Sequence, residues 1–172
     1  MAKLAQQWGL RPDQIVLGNG SNDILDLIAR IYIEDDSSEA ISSQYGFSVY
    51  ALVTQLAGGC NVIVPALNYG HDLTAMQAAI TSETKIIWIA NPNNPTGAFI
   101  SYEDLEVFIA NMPTKGAIVL DEAYYEYLNY SRRFDSHSWI DQYPNLIIVH
   151  TFYKIYGLAG LRVGYALTCD SS

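Results

Sequence analysis

Apolar residues fall in short continuous runs, at residues 15–17, 40–42, 61–64, 85–90, 117–120, 146–150 and 162–167, and each run has the length and bulk of a β-strand. Between them the apolar period changes to that of a helix. After Gly18-Asn-Gly20, Ile24, Leu25, Ile28 and Ile31 share one face, with Ser21 placed as N-cap and a helix running to about residue 33. Further helices are predicted over residues 46–57, closed by Gly58-Gly59, over 72–80, and from Ser101 to about residue 111, before Pro113 stops it. Runs such as Ile86 to Ile89 and Leu146 to Val149 have no polar face, so both sides of the sheet must be covered. The pattern predicts an α/β fold, a three-layer α-β-α sandwich with a mainly parallel sheet, built as one domain over residues 1–172.

Composition narrows the function classes. Half of the 172 residues are apolar and 16% are charged, which excludes a disordered chain. The longest apolar runs, about five to seven residues, fall far short of the roughly 20 that cross a bilayer, and the N-terminus has no signal core, so a cytoplasmic protein is expected. The net charge of −9, from 18 acidic against 9 basic residues, opposes nucleic acid and anionic membrane as partners. Cys60 and Cys169 form no CxxC, and His71, His137 and His150 show no ligand spacing, so no metal site is expected.

In a parallel sheet, ligands bind outside the carboxyl ends of the strands. Four polar segments follow strand candidates there: Gly18-Asn-Gly-Ser21, Asn91-Pro-Asn-Asn-Pro-Thr-Gly97, Asp121-Glu-Ala-Tyr124, and His150-Thr-Phe-Tyr-Lys154 with Arg162 beyond it. The first is an ordinary strand-to-helix turn or an anion cradle at a helix N-terminus. It is neither a dinucleotide fingerprint, because Asp23 stands where the third glycine belongs, nor a Walker A loop, because the chain has no Gly-Lys. Asp121 ends an apolar run, as in a Walker B strand or as a surface cap, and a buried carboxylate there needs a cation or strong donors. Lys154 is a solvated lysine or, if desolvated, an amine nucleophile for carbonyl compounds. Anion cradle, carboxylate, amine and Asn-rich loop together match pyridoxal 5′-phosphate: a phosphate, a pyridine nitrogen, an aldehyde and a phenolic oxygen.

With Tyr45-Gly-Phe-Ser-Val-Tyr50 and Thr151-Phe-Tyr-Lys-Ile-Tyr-Gly-Leu-Ala-Gly-Leu-Arg-Val-Gly164 added to these motifs, the chain resembles the class I/II (fold-type I) aminotransferases along essentially its whole length, and among them the histidinol-phosphate aminotransferases. The resemblance implies that Lys154 forms the Schiff base and moves the substrate proton, Asp121 pairs with the pyridine nitrogen, Tyr124 and Asn94 bond the phenolic oxygen, and Phe47 stacks on the ring. It likewise implies that the backbone amides of Ser21 and Asn22, with Thr151 and Arg162, hold the phosphate. The implied reaction is ping-pong amino transfer between glutamate/2-oxoglutarate and histidinol phosphate, within histidine biosynthesis, in a homodimer. The same motifs would serve an aromatic or other class I/II aminotransferase, a threonine-phosphate decarboxylase, or a non-catalytic fragment that keeps the fold. Two residues depart from the family pattern: Tyr153 stands where Ser is usual and Ile155 where Ala is usual. The resemblance also implies that this is the large domain alone, without the N-terminal arm and the C-terminal small domain, and hence without the arginine that grips the substrate carboxylate.

Overall fold

A computed structural model describes residues 1–113 and 115–169. In chain order it contains α1 (Ala2–Trp8), β1 (Ile15–Gly18), α2 (Ser21–Tyr32), β2 (Glu39–Ser43), α3 (Ser48–Leu56), β3 (Cys60–Val64), α4 (Leu73–Ala78), β4 (Thr84–Ala90), α5 (Tyr102–Ala110), β5 (Ala117–Asp121), β6 (Leu146–Thr151) and β7 (Gly164–Thr168), with short 3₁₀ turns between. The strands form one seven-stranded sheet in the order β1-β7-β6-β5-β4-β2-β3. Pairing is parallel from β6 through β3, and antiparallel where β7 meets β6 and β1. Consequently β1 to β6 all point one way and only β7 returns against them.

Alternation along the central strands distributes their side chains between two cores. Ile86, Trp88, Val119, Ile147 and Val149 pack with Ile24, Leu25 and Ile28 of α2 and Tyr50 and Val53 of α3. Ile87, Ile89, Ile118, Leu120 and Ile148 pack on the opposite face with Met76 of α4, Leu105 and Phe108 of α5, and Trp139. Each such buried branched or aromatic side chain contributes about 1.5–3 kcal/mol through burial. The double-sided burial expected from the unbroken apolar runs is therefore the observed three-layer arrangement.

Four local readings are corrected. The N-cap of α2 is Gly20, at φ +85°, and not Ser21, whose hydroxyl is directed instead to the phenol of Tyr153 at 2.7 Å. β7 begins at Gly164 rather than at residue 162, because Arg162 adopts a left-handed backbone conformation (φ +51°) that no strand accommodates. α3 starts at Ser48, since the amide of Gly46 closes a turn onto the carbonyl of Ser43. Finally, α1 was not expected: it is short and buries only Ala5, too little for an apolar period to register. Asp72 and Ser101 each cap a helix, the side chain accepting from the amide three residues on. Among the described residues, no helix is long and apolar enough to cross a membrane, and no cluster of metal-ligating side chains occurs.

Candidate functional site

Because β1, β4, β5 and β6 run in one direction, their last residues, Gly18, Ala90, Asp121 and Thr151, share one edge of the sheet, and the reversed β7 brings its first residue, Gly164, there as well. A narrow cleft opens at this edge. Ser21, Phe47, Asn94, Asp121, Tyr124 and Lys154 line it together with Tyr153. Of the remaining candidates, Asn22 is exposed in the first turn of α2, Thr151 is buried at the end of β6, and Arg162 is exposed above Gly20.

Asp121 is buried, with Oδ2 accepting a 2.8 Å hydrogen bond from the Tyr50 hydroxyl and Oδ1 accepting from the amide of Ala123 at 3.0 Å. Burial pushes its carboxyl above the usual range, while these two bonds and the Lys154 charge pull the other way. Tyr50 is itself held by a parallel stack on Trp88 (5.2 Å between centroids) and an edge contact with Phe47 (5.7 Å). Burial and the neighbouring carboxylate drive the Tyr50 hydroxyl well above its ordinary value, so it stays a donor. Sequence reasoning missed Tyr50, although it stands three residues after Phe47 in a motif already singled out.

The half-buried Lys154 lies with Nζ 4.8 Å from the Tyr124 ring centre and 5.4 Å from that of Tyr153. In the loop after β4, Asn91 and Asn93 are structural staples: Asn91 pairs with both backbone groups of Ile100, and Asn93 donates to the Tyr45 carbonyl and to Thr96 Oγ1. Asn94 is the asparagine of this loop that reaches the cleft wall.

The turn before α2 is pressed close to β7. A Cβ on Gly164 would lie 2.5 Å from both the carbonyl carbon of Gly20 and the amide nitrogen of Ser21, so only glycine permits this approach. A Cβ on Gly20 would lie 2.7 Å from Arg162 Nη2, which places the guanidinium over the helix N-terminus. No side chain caps α2, which leaves its first amides facing the same space, where the helix dipole favours an anion. The edge thus offers an anion seat, an amine and a buried carboxylate along one cleft.

The class I and II aminotransferase family matches residues 1–172. The chain belongs to that family. Among curated relatives of this aminotransferase chain, histidinol-phosphate aminotransferase 1 of Dechloromonas aromatica is 53% identical over 97% of the chain and 46% of the relative. The protein of the same name from Idiomarina loihiensis is 51% identical over 99% of the chain and 46% of the relative. Among solved structures, histidinol-phosphate aminotransferase from Sinorhizobium meliloti, in complex with pyridoxal-5′-phosphate, superposes with a TM-score of 0.91 at 34% identity, over 98% of this chain and 45% of that one. An aromatic aminotransferase from Pyrococcus horikoshii superposes at 0.85 with 25% identity, over 98% of this chain and 47% of that one. The chain spans slightly less than half the length of these relatives.

Proposed function

We propose that this chain is the cofactor-binding large domain of a pyridoxal 5′-phosphate-dependent aminotransferase that passes an amino group between histidinol phosphate and 2-oxoglutarate. The observation that carries the reading is the meeting of Lys154 and Asp121 in one cleft beside the Ser21 turn and Arg162. The residues fit the cofactor on three counts: a buried carboxylate already oriented by Tyr50, an amine in the same cleft, and a seat at a helix N-terminus beside Gly20, where a Cβ would meet the Arg162 guanidinium.

When bound, the cofactor supplies an electron sink for bonds broken at the substrate Cα. Asp121 would accept a hydrogen bond from the pyridine N–H and hold that proton in place. Tyr124 and Asn94 would donate to the phenolic oxygen, and Phe47 would cover one ring face and exclude water from it. The amides of Ser21 and Asn22, with Thr151 and Arg162, would hold the phosphate. Lys154 Nζ is the group able to attack an aldehyde and, once released, to take the proton from the substrate Cα as general base.

The substrate assignment is supported by relatives near 50% identity that carry the histidinol-phosphate name, whereas the aromatic enzyme stands at 25%. The proposal extends to a homodimer, as the resemblance implies, and to the cytoplasm, as expected from the sequence. A second reading, a cofactor-binding piece without turnover of its own, is favoured by the 46% of the relative's length that the chain spans. The test is amino transfer from glutamate, comparing imidazole-acetol phosphate with a non-phosphorylated aromatic 2-oxo acid as acceptor. Preference for the phosphorylated acceptor is expected. Preference for the aromatic acid contradicts the assignment, and cofactor binding without transfer to either acceptor selects the second reading.

A further inference from the structure

The residue before Lys154 occupies the seat that an anion would take. Tyr153 places its hydroxyl 2.7 Å from Ser21 Oγ, at the N-terminus of α2. The Arg162 guanidinium lies over the Tyr153 ring, 4.7 Å from its centre. The ring also lies beside the turn, 3.2 Å from where a Cβ on Gly20 would stand. One side chain thus engages both the hydroxyl and the guanidinium that line the anion seat, and its ring also forms part of the cleft wall beside Lys154.

These contacts exclude a phosphate at the same place. An anion that takes its hydrogen bonds from the α2 amides, Ser21 and Arg162 must first part the Tyr153 hydroxyl from Ser21 and draw the guanidinium off the ring. The incoming bonds are charge-assisted and outweigh a neutral hydroxyl pair, but the contacts given up are subtracted from the affinity. We propose that Tyr153 is a stopper of the anion seat: it closes the seat in the free chain and selectively weakens ligands that carry a phosphate monoester. The proposal rests on the cofactor reading above and goes beyond it, since it gives this side chain a role opposed to binding.

Equilibrium titrations of the wild-type chain, Tyr153→Ser and Tyr153→Phe test it, with pyridoxal 5′-phosphate, pyridoxal and inorganic phosphate as probes. The first two are followed by visible absorbance and the third by calorimetry. Tyr153→Ser is expected to tighten pyridoxal 5′-phosphate about tenfold, by removing one hydrogen bond and one cation–π contact that compete with it, and to leave pyridoxal within about twofold. Tyr153→Phe keeps the ring under Arg162 but frees Ser21, so a gain of about threefold is expected. Inorganic phosphate should likewise bind Tyr153→Ser more tightly than wild type. Because Tyr153 lies on a half-exposed loop, an unchanged unfolding midpoint for Tyr153→Phe serves as the folding control. Weaker or unchanged binding of the phosphorylated cofactor to Tyr153→Ser overturns the proposal, and so does an equal gain for pyridoxal. If neither pyridoxal form binds through Lys154, the cofactor reading fails instead, and the inorganic phosphate titration alone then decides for or against the stopper.

Discussion

Tyr50 and Asp121, 71 positions apart in the chain, meet in the interior through a 2.8 Å hydrogen bond from the phenol to Oδ2. α3 delivers the donor and the end of β5 the acceptor, and the stack of Tyr50 on Trp88 fixes the direction of approach. The carboxylate that would face the pyridine nitrogen is therefore oriented before any ligand arrives.

Tyr50→Phe removes that donor without changing the ring. It leaves Asp121 Oδ2 buried and short of a partner, which costs about 1–3 kcal/mol. The loss also pushes the Asp121 carboxyl further up, because the Tyr50 bond is the larger of the contacts that hold it down. Urea unfolding should report the destabilisation, and pyridoxal 5′-phosphate should bind more weakly. A stability change below about 0.5 kcal/mol with unaltered cofactor affinity contradicts this account of the site.

A second buried pair contributes to the response to pH. His150 Nε2 lies 3.3 Å from Glu122 Oε2, with Trp8 and Tyr165 stacked on the imidazole at 5.0 and 5.1 Å. Burial raises the Glu122 carboxyl from 4.5 to about 8 and lowers His150 from 6.5 to about 3. The folded pair then holds one proton from about pH 3 to about pH 8, on whichever atom it resides. The unfolded chain holds two below pH 4.5, one up to pH 6.5 and none above. The pair's contribution to stability should rise with pH from about 3 to 4.5, stay level to 6.5, and fall between 6.5 and 8. Glu122→Gln should remove most of the alkaline fall in urea midpoints, and a wild-type midpoint equal on both sides of this window would refute the assignment.

What was legible in the sequence, and what was not, follows from the range of the interactions. The central strands could be read because Ile86 to Ile89 and Leu146 to Val149 announce burial on both faces by themselves. The parallel order then placed Asp121, Lys154 and the Ser21 turn at one edge without knowledge of any contact. By contrast, the Tyr50 bond to Asp121 spans 71 residues, and no local pattern reports it. Ser21 was assigned as a cap on local grounds, but the cap is Gly20 and the Ser21 hydroxyl meets Tyr153, 132 residues away. The asparagines after β4 look equivalent as a string, but burial separates Asn91 and Asn93, which hold the loop, from Asn94, which reaches the cleft.

The central claim is that this chain holds pyridoxal 5′-phosphate through Lys154 in the cleft it shares with Asp121. Titration of the wild-type chain and Lys154→Ala with pyridoxal 5′-phosphate, followed by visible absorbance after gel filtration, tests it most directly. The account predicts a stoichiometric band that stays with wild-type protein and is absent from Lys154→Ala, with both chains folded by circular dichroism. A folded wild-type chain that retains no band, or a band that survives the loss of Lys154, would contradict it.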